Sequence, residues 1–108
     1  MINARFVCFA LALAVATPVV AAPRLTDSQF IKASRCQTLA KASSLGASDP
    51  AAFSALLKTQ RQGRADYIMQ KASDAVSAAS GQARRADEAA KADLIAERDG
   101  PCQALLAR

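Results

Sequence analysis

Apolar positions after the first two dozen residues recur at helical intervals. Phe30, Ala33, Cys36 or Gln37, and Ala40 step by three and four, with Ile31 and Leu39 alongside; this spacing predicts an amphipathic helix over 27–44. Its start is well marked. Thr26 as N-cap and Gln29 three residues on make a capping box, and Leu25 and Phe30 make the matching hydrophobic staple. Gly46 is the expected C-terminal cap. Asp49 and Pro50 then open a second helix, as cap and first helical residue. Phe53, Leu56 and Leu57 form its apolar face. There the stripe is interrupted: Gln60 and Arg64 stand where apolar residues should continue it, with Gly63 between them. Tyr67, Ile68, Ala72, Val76 and Ala79 resume it. Beyond Ser80-Gly81 a narrow stripe of Ala83, Ala86, Ala90 and Leu94 runs to the stop at Gly100-Pro101, and Leu105 and Leu106 suit one more short helical turn. No run alternates as a strand would, and β-branched residues are scarce, so the fold class is all-α.

The first 21 residues have a different pattern. Arg5 precedes an apolar run over 6–15, Thr17-Pro18 breaks it, and Val19-Val20-Ala21 offers residues a signal peptidase accepts. This is the layout of a secretory signal peptide with cleavage after Ala21, and the apolar run is short for a membrane span. The expected organisation is a signal peptide over 1–21 and a single small helical domain over 22–108, with residues 22–24 a disordered leader and no transmembrane segment in the mature chain. The expected location is the periplasm or the exterior.

Export changes the reading of the cysteines. Cys8 lies in the apolar run, which leaves Cys36 and Cys102 as the one possible intramolecular pair, and an oxidising compartment makes a disulfide between them the expectation. Closing most of the mature chain into one loop stabilises it by about 4 kcal/mol on chain-entropy grounds. A small Ala-rich domain with a thin core needs such a staple. The bridge also discriminates between topologies. One unbroken helix over 50–98 would be about 73 Å long and would carry Cys102 far from Cys36. A turn at Ser80-Gly81 brings Cys102 back level with Cys36. The arrangement expected is a three-helix up-down-up bundle over about 27–44, 50–79 and 82–98; four short helices, with a further turn at Gly63, are the alternative.

Charge and chemistry narrow the function. The full chain carries +5 at neutral pH and no histidine. The usual general base and the commonest zinc ligand are therefore missing. No Cys-x-x-Cys, nucleophile constellation or Gly-rich phosphate loop appears, so no enzyme activity, cofactor or metal is expected. Asp93 and Glu97 share a face four residues apart and read as solvated charges near Arg98. Nucleic acid is disfavoured by export and by the few mature aromatics, Phe30, Phe53 and Tyr67.

The run Leu25-Thr26-Asp27-Ser28-Gln29 also resembles the L-T-x-x-Q pattern of the Spy/CpxP-like periplasmic proteins, small helical chaperones and stress regulators. It covers five residues; the second copy usual in that family is absent, and the capping box accounts for the same residues. The function expected is an exported, non-enzymatic, protein-interaction or stress-related client-binding module. Its partner-binding groove would be built on Phe53, Leu56 and Leu57 and rimmed by Lys58 and Arg61. The alternative is an envelope-associated structural protein that binds anionic polymer or lipid surfaces through basic helix faces, including Arg84-Arg85 and Lys58/Arg61/Arg64.

Overall fold

A computed structural model describes residues 24–107; the signal segment over 1–21 and its cleavage point lie outside the described residues. Helix α1 spans Asp27–Lys41 and is followed by a single 3-10 turn, Ser43–Leu45. Helices α2 (Ala51–Gln60), α3 (Asp66–Arg85), α4 (Glu88–Asp99) and the short α5 (Pro101–Leu106) complete the described chain. The all-α class and the Cys36–Cys102 bridge are as the sequence leads one to expect. Of the two arrangements, the one with the turn at Gly63 is present.

The start of α1 follows its capping box. The Gln29 amide donates to Thr26 Oγ1 at 3.1 Å, and the Thr26 amide donates to Gln29 Oε1 at 3.0 Å. Leu25 and Phe30 are both buried in one cluster. Helix α2 starts one residue later than expected, with Pro50 rather than Asp49 at the N-cap; Asp49 Oδ1 accepts from the Ala51 amide at 2.9 Å just ahead of it. Helix α1 ends earlier than 44: Ala42 turns extended, and Gly46 (φ 86, ψ 166) closes the 3-10 turn instead. That conformation is essentially reserved for glycine.

The break after α2 lies at Gln62-Gly63, where Gly63 takes φ +74. Ser80-Gly81 forms no turn. Helix α3 runs through it to Arg85, and the Arg85 guanidinium lies over the buried Gly81. The true break comes at Ala86, and Asp87 caps α4 by accepting from the Ala90 amide at 2.8 Å. A pair of alanine substitutions reads out this placement. Gly63→Ala should lose about 1–2 kcal/mol, because an L-residue is strained in the left-handed region. Gly81→Ala should gain about 0.5–1 kcal/mol, because a mid-helix glycine is replaced by a better helix former, and its Cβ meets only the mobile end of Arg85. Urea midpoints moving in opposite directions are the expected result.

Helix α1 is the hub, packing on α2, α3, α4 and α5. Two clusters share it. One joins Cys36, Leu39, Leu45, Phe53, Ala79, Leu94 and Cys102. The other joins Leu25, Phe30, Ala33, Leu57, Ile68 and Ala72. Early α3 residues thus lie with early α1 residues and late with late, so α1 and α3 run parallel, while Gln37 bonds Ser54 and Leu25 bonds Gln60 in the antiparallel sense of α2. Leu105 packs against both clusters. The disulfide joins α1 to α5 with Cα atoms 5.6 Å apart, across 66 residues of sequence. A Gly63 turn does not strand Cys102 at the wrong end, because α3 overshoots α1: Ala83 reaches the 3-10 turn, where its carbonyl accepts from Ser44 Oγ at 3.0 Å. The return along α4 then ends level with the middle of α1.

Candidate functional site

The five residues expected to build one groove are distributed instead. Phe53 is 1% exposed and lies among Leu39, Leu45 and the disulfide. Leu57 points into the other cluster, beside Phe30 and Ile68. Leu56 is half-buried at the edge of that second cluster, Lys58 is exposed, and Arg61 is an exposed residue bordering a cleft of about 200 Å³ between α2 and α3, with Phe30 and Ser34 of α1 also lining it. The cause is the shortness of α2. A ten-residue helix laid on α1 uses Phe53 and Leu57, one turn apart, to reach both clusters, and little apolar face is left over.

The interruption at Gln60, Gly63 and Arg64 has a structural role that the apolar pattern could not show. These residues tie down the segment before α1. Gln60 Oε1 accepts from the Leu25 amide at 3.0 Å, and the Arg24 guanidinium donates to the Gln62 carbonyl. Arg24 is therefore held in place rather than part of a loose leader. Arg64, whose side chain is only 2% exposed, donates to the Leu25 carbonyl at 2.8 Å, to the Gln60 carbonyl at 2.8 Å and to Asp27 Oδ1 at 2.6 Å. Its guanidinium also stacks on Phe30, 4.6 Å from the ring centre. Three directed donors and a planar stacking face are what arginine has and lysine lacks. Arg64→Lys should lose about 2 kcal/mol, since at least one part-buried carbonyl goes unmatched. Hydrogen exchange should show the loss first in the amides of Leu25 and the opening turn of α1, and unchanged protection there would contradict this role.

Two more arginines are consumed in the same way. Arg35 forks onto Glu97, with Nε to Oε2 at 2.6 Å and Nη2 to Oε1 at 3.1 Å, and reaches Gln82 with Nη1 at 2.8 Å. Glu97 is therefore an interhelical partner rather than the solvated charge the sequence suggests. Arg98 is buried and donates to the Leu45 carbonyl at 3.0 Å, holding the 3-10 turn against α4. Its hydrogen bond to Asp99 holds that carboxyl below the usual carboxylate range. The small contribution of this pair, whose carboxylate side is exposed, is present above the ordinary aspartate pKa and fades as pH falls through the lowered one.

Asp27, Glu88, Glu97 and Asp99 are in ion pairs, Asp87 caps α4, and Asp49 accepts a backbone amide at the start of α2. Lys32, Lys41, Lys58, Arg61, Lys71, Arg84 and Arg85 have no carboxylate at ion-pair distance among the described residues. They outnumber the remaining acids, Asp66, Asp74 and Asp93. Tyr67 is the exposed large apolar side chain, at 63%, with the Lys71 ammonium 6.0 Å from its ring centre. Among the described residues no three metal-ligating side chains converge, and no helix is long and apolar enough to cross a membrane. No family model, no curated protein and no solved structure matches this chain.

Proposed function

We propose that the chain is an exported, non-enzymatic binding protein of the cell envelope, a disulfide-stapled helical scaffold that engages anionic polymer or lipid surfaces through its basic faces. The observation that carries this reading is the charge imbalance left after internal pairing: the acids are largely spent on helix caps and ion pairs, and the cations above are free. The signal-like segment over 1–21 and the long-range disulfide both suit an oxidising compartment. A surface of this kind binds through solvent-exposed charge, so its affinity should fall steeply as salt shortens the Debye length to about 8 Å near physiological ionic strength.

The test is retention of the oxidised mature chain on a polyuronate matrix and on vesicles containing anionic lipid, across a salt series. Retention at low salt that is lost by a few hundred millimolar is expected, and absence of retention at the lowest ionic strength would overturn the reading. A protein-interaction or client-binding role is the second reading, favoured by the exposed Tyr67 and the half-buried Leu56. It requires capture that persists in high salt and is abolished by Tyr67→Ala or Leu56→Asp in a chain that still folds.

A further inference from the structure

We propose that the pocket where α1 and α3 end together is a binding site for an anionic sugar, a uronic acid or a sugar phosphate. The proposal rests on the anionic-surface reading and gives it a specific ligand class. Because α1 and α3 run parallel, their C-terminal turns and the 3-10 turn meet at one end of the molecule. There, with Val76 and Ser80 of α3, they line a half-open pocket of about 390 Å³, within the lower range of small-ligand sites, roughly 300–1,000 Å³, and suited to one or two sugar rings.

Its polar lining is Thr38, Lys41, Ser43, Ser44, Ser80 and Arg84, joined by Gln37, with no carboxylate among the lining residues. Lys41 and Arg84 are exposed and without ion-pair partners among the described residues. Thr38 Oγ1 donates to the Ser34 carbonyl at 3.1 Å and Ser44 Oγ to the Ala83 carbonyl at 3.0 Å, so both oxygens are left as acceptors. A bare anion is poorly matched here, since the negative ends of two helix dipoles oppose it. A neutral sugar would leave both cations unused. A ligand with hydroxyl donors for the Thr38 and Ser44 oxygens, and one anionic group for Lys41 and Arg84, satisfies both halves of the site.

The experiment titrates the oxidised mature chain with digalacturonate and with glucose 6-phosphate, using maltose and inorganic phosphate as comparators. Calorimetry gives affinity, and amide shifts at Ser43, Ser44 and Arg84 give the place. Saturable binding of at least one anionic sugar with shifts at those amides is expected, and which one binds identifies the source of the charge. Lys41→Gln and Arg84→Gln, both at exposed positions, should keep the wild-type melting temperature and each weaken binding roughly tenfold, as loss of a charge-assisted hydrogen bond does. The proposal is overturned if neither anionic sugar binds, if inorganic phosphate or maltose binds as tightly, or if the double variant binds unchanged. Polyanion retention that persists without sugar binding refutes the pocket alone, and loss of both refutes the surface reading with it.

Discussion

Reducing the Cys36–Cys102 bridge should destabilise the domain by about 4 kcal/mol, the chain-entropy value for a loop of its length. The bridge spans 66 residues, and its release frees the unfolded chain far more than the folded one. The folded state loses something too. Helix α5 is six residues long, too short to persist without tertiary support, and besides the bridge its hold on the rest is the packing of Leu105 and Leu106. Small domains have only about 5–15 kcal/mol in total, so the reduced protein should stand near its unfolding threshold. Urea titration of oxidised and reduced chains, with Cys36→Ala/Cys102→Ala as a third sample, measures this. The reduced chain and the double variant should share a lowered midpoint. A reduced protein that melts with the oxidised one would show that the staple contributes little.

Phe53→Ala should cost about 3–5 kcal/mol, the usual range for removing a fully buried aromatic ring. Phe53 is 1% exposed and fills the space between Leu39, Leu45 and the disulfide, where rigid helices and a covalent bridge leave little room to collapse into the void. Lys58→Ala on α2 and Arg61→Ala just past its end, both at exposed positions, should stay within about 0.5 kcal/mol. A Phe53→Ala protein as stable as wild type would put that ring at the surface and restore an apolar groove on α2 as the partner site. Chemical denaturation at constant m-value distinguishes the outcomes.

What could be read from the sequence was local. The capping box at Thr26 and Gln29, the helix start around Asp49-Pro50 and the Gly100-Pro101 stop each depend on a few neighbouring residues and a short-range rule, and the Cys36–Cys102 pairing, though long-range, needed only a count of cysteines. The turn between α3 and α4 was misplaced because glycine at 81 outweighed a charge signal. Arg84-Arg85 is what the end of one helix favours, and Asp87-Glu88 what the start of the next favours, and that reversal marks the break at Ala86. Gly81 stays helical, buried within α3. Gln60, Arg64 and Arg98 were legible only as gaps in an apolar stripe or as surface charge. Their partners are Leu25 and Asp27 for the first two and Leu45 for the third, all distant in sequence, and only the packed structure brings them together. The division of the groove residues between two clusters has a related cause. Whether Phe53 faces outward depends on the lengths of α2 and α3, and these hung on the choice between Gly63 and Gly81.

The position of α1 at the hub has a consequence for the order of assembly. It is the first helix of the described chain to be made and the last to be completed. Helices α2 and α3 can close on it with modest sequence separation, burying Leu57, Ile68 and Ala72 against Phe30 and Ala33 early. The other face must wait for α4 and α5, whose anchors to Arg35 and Cys36 lie 62 and 66 residues further on. Contacts so distant in sequence slow folding, because loop closure precedes any reward. Until the last few residues arrive, the Leu39 and Phe53 surface stays open and prone to association, and oxidation of the cysteine pair acts as the latch that ends that interval.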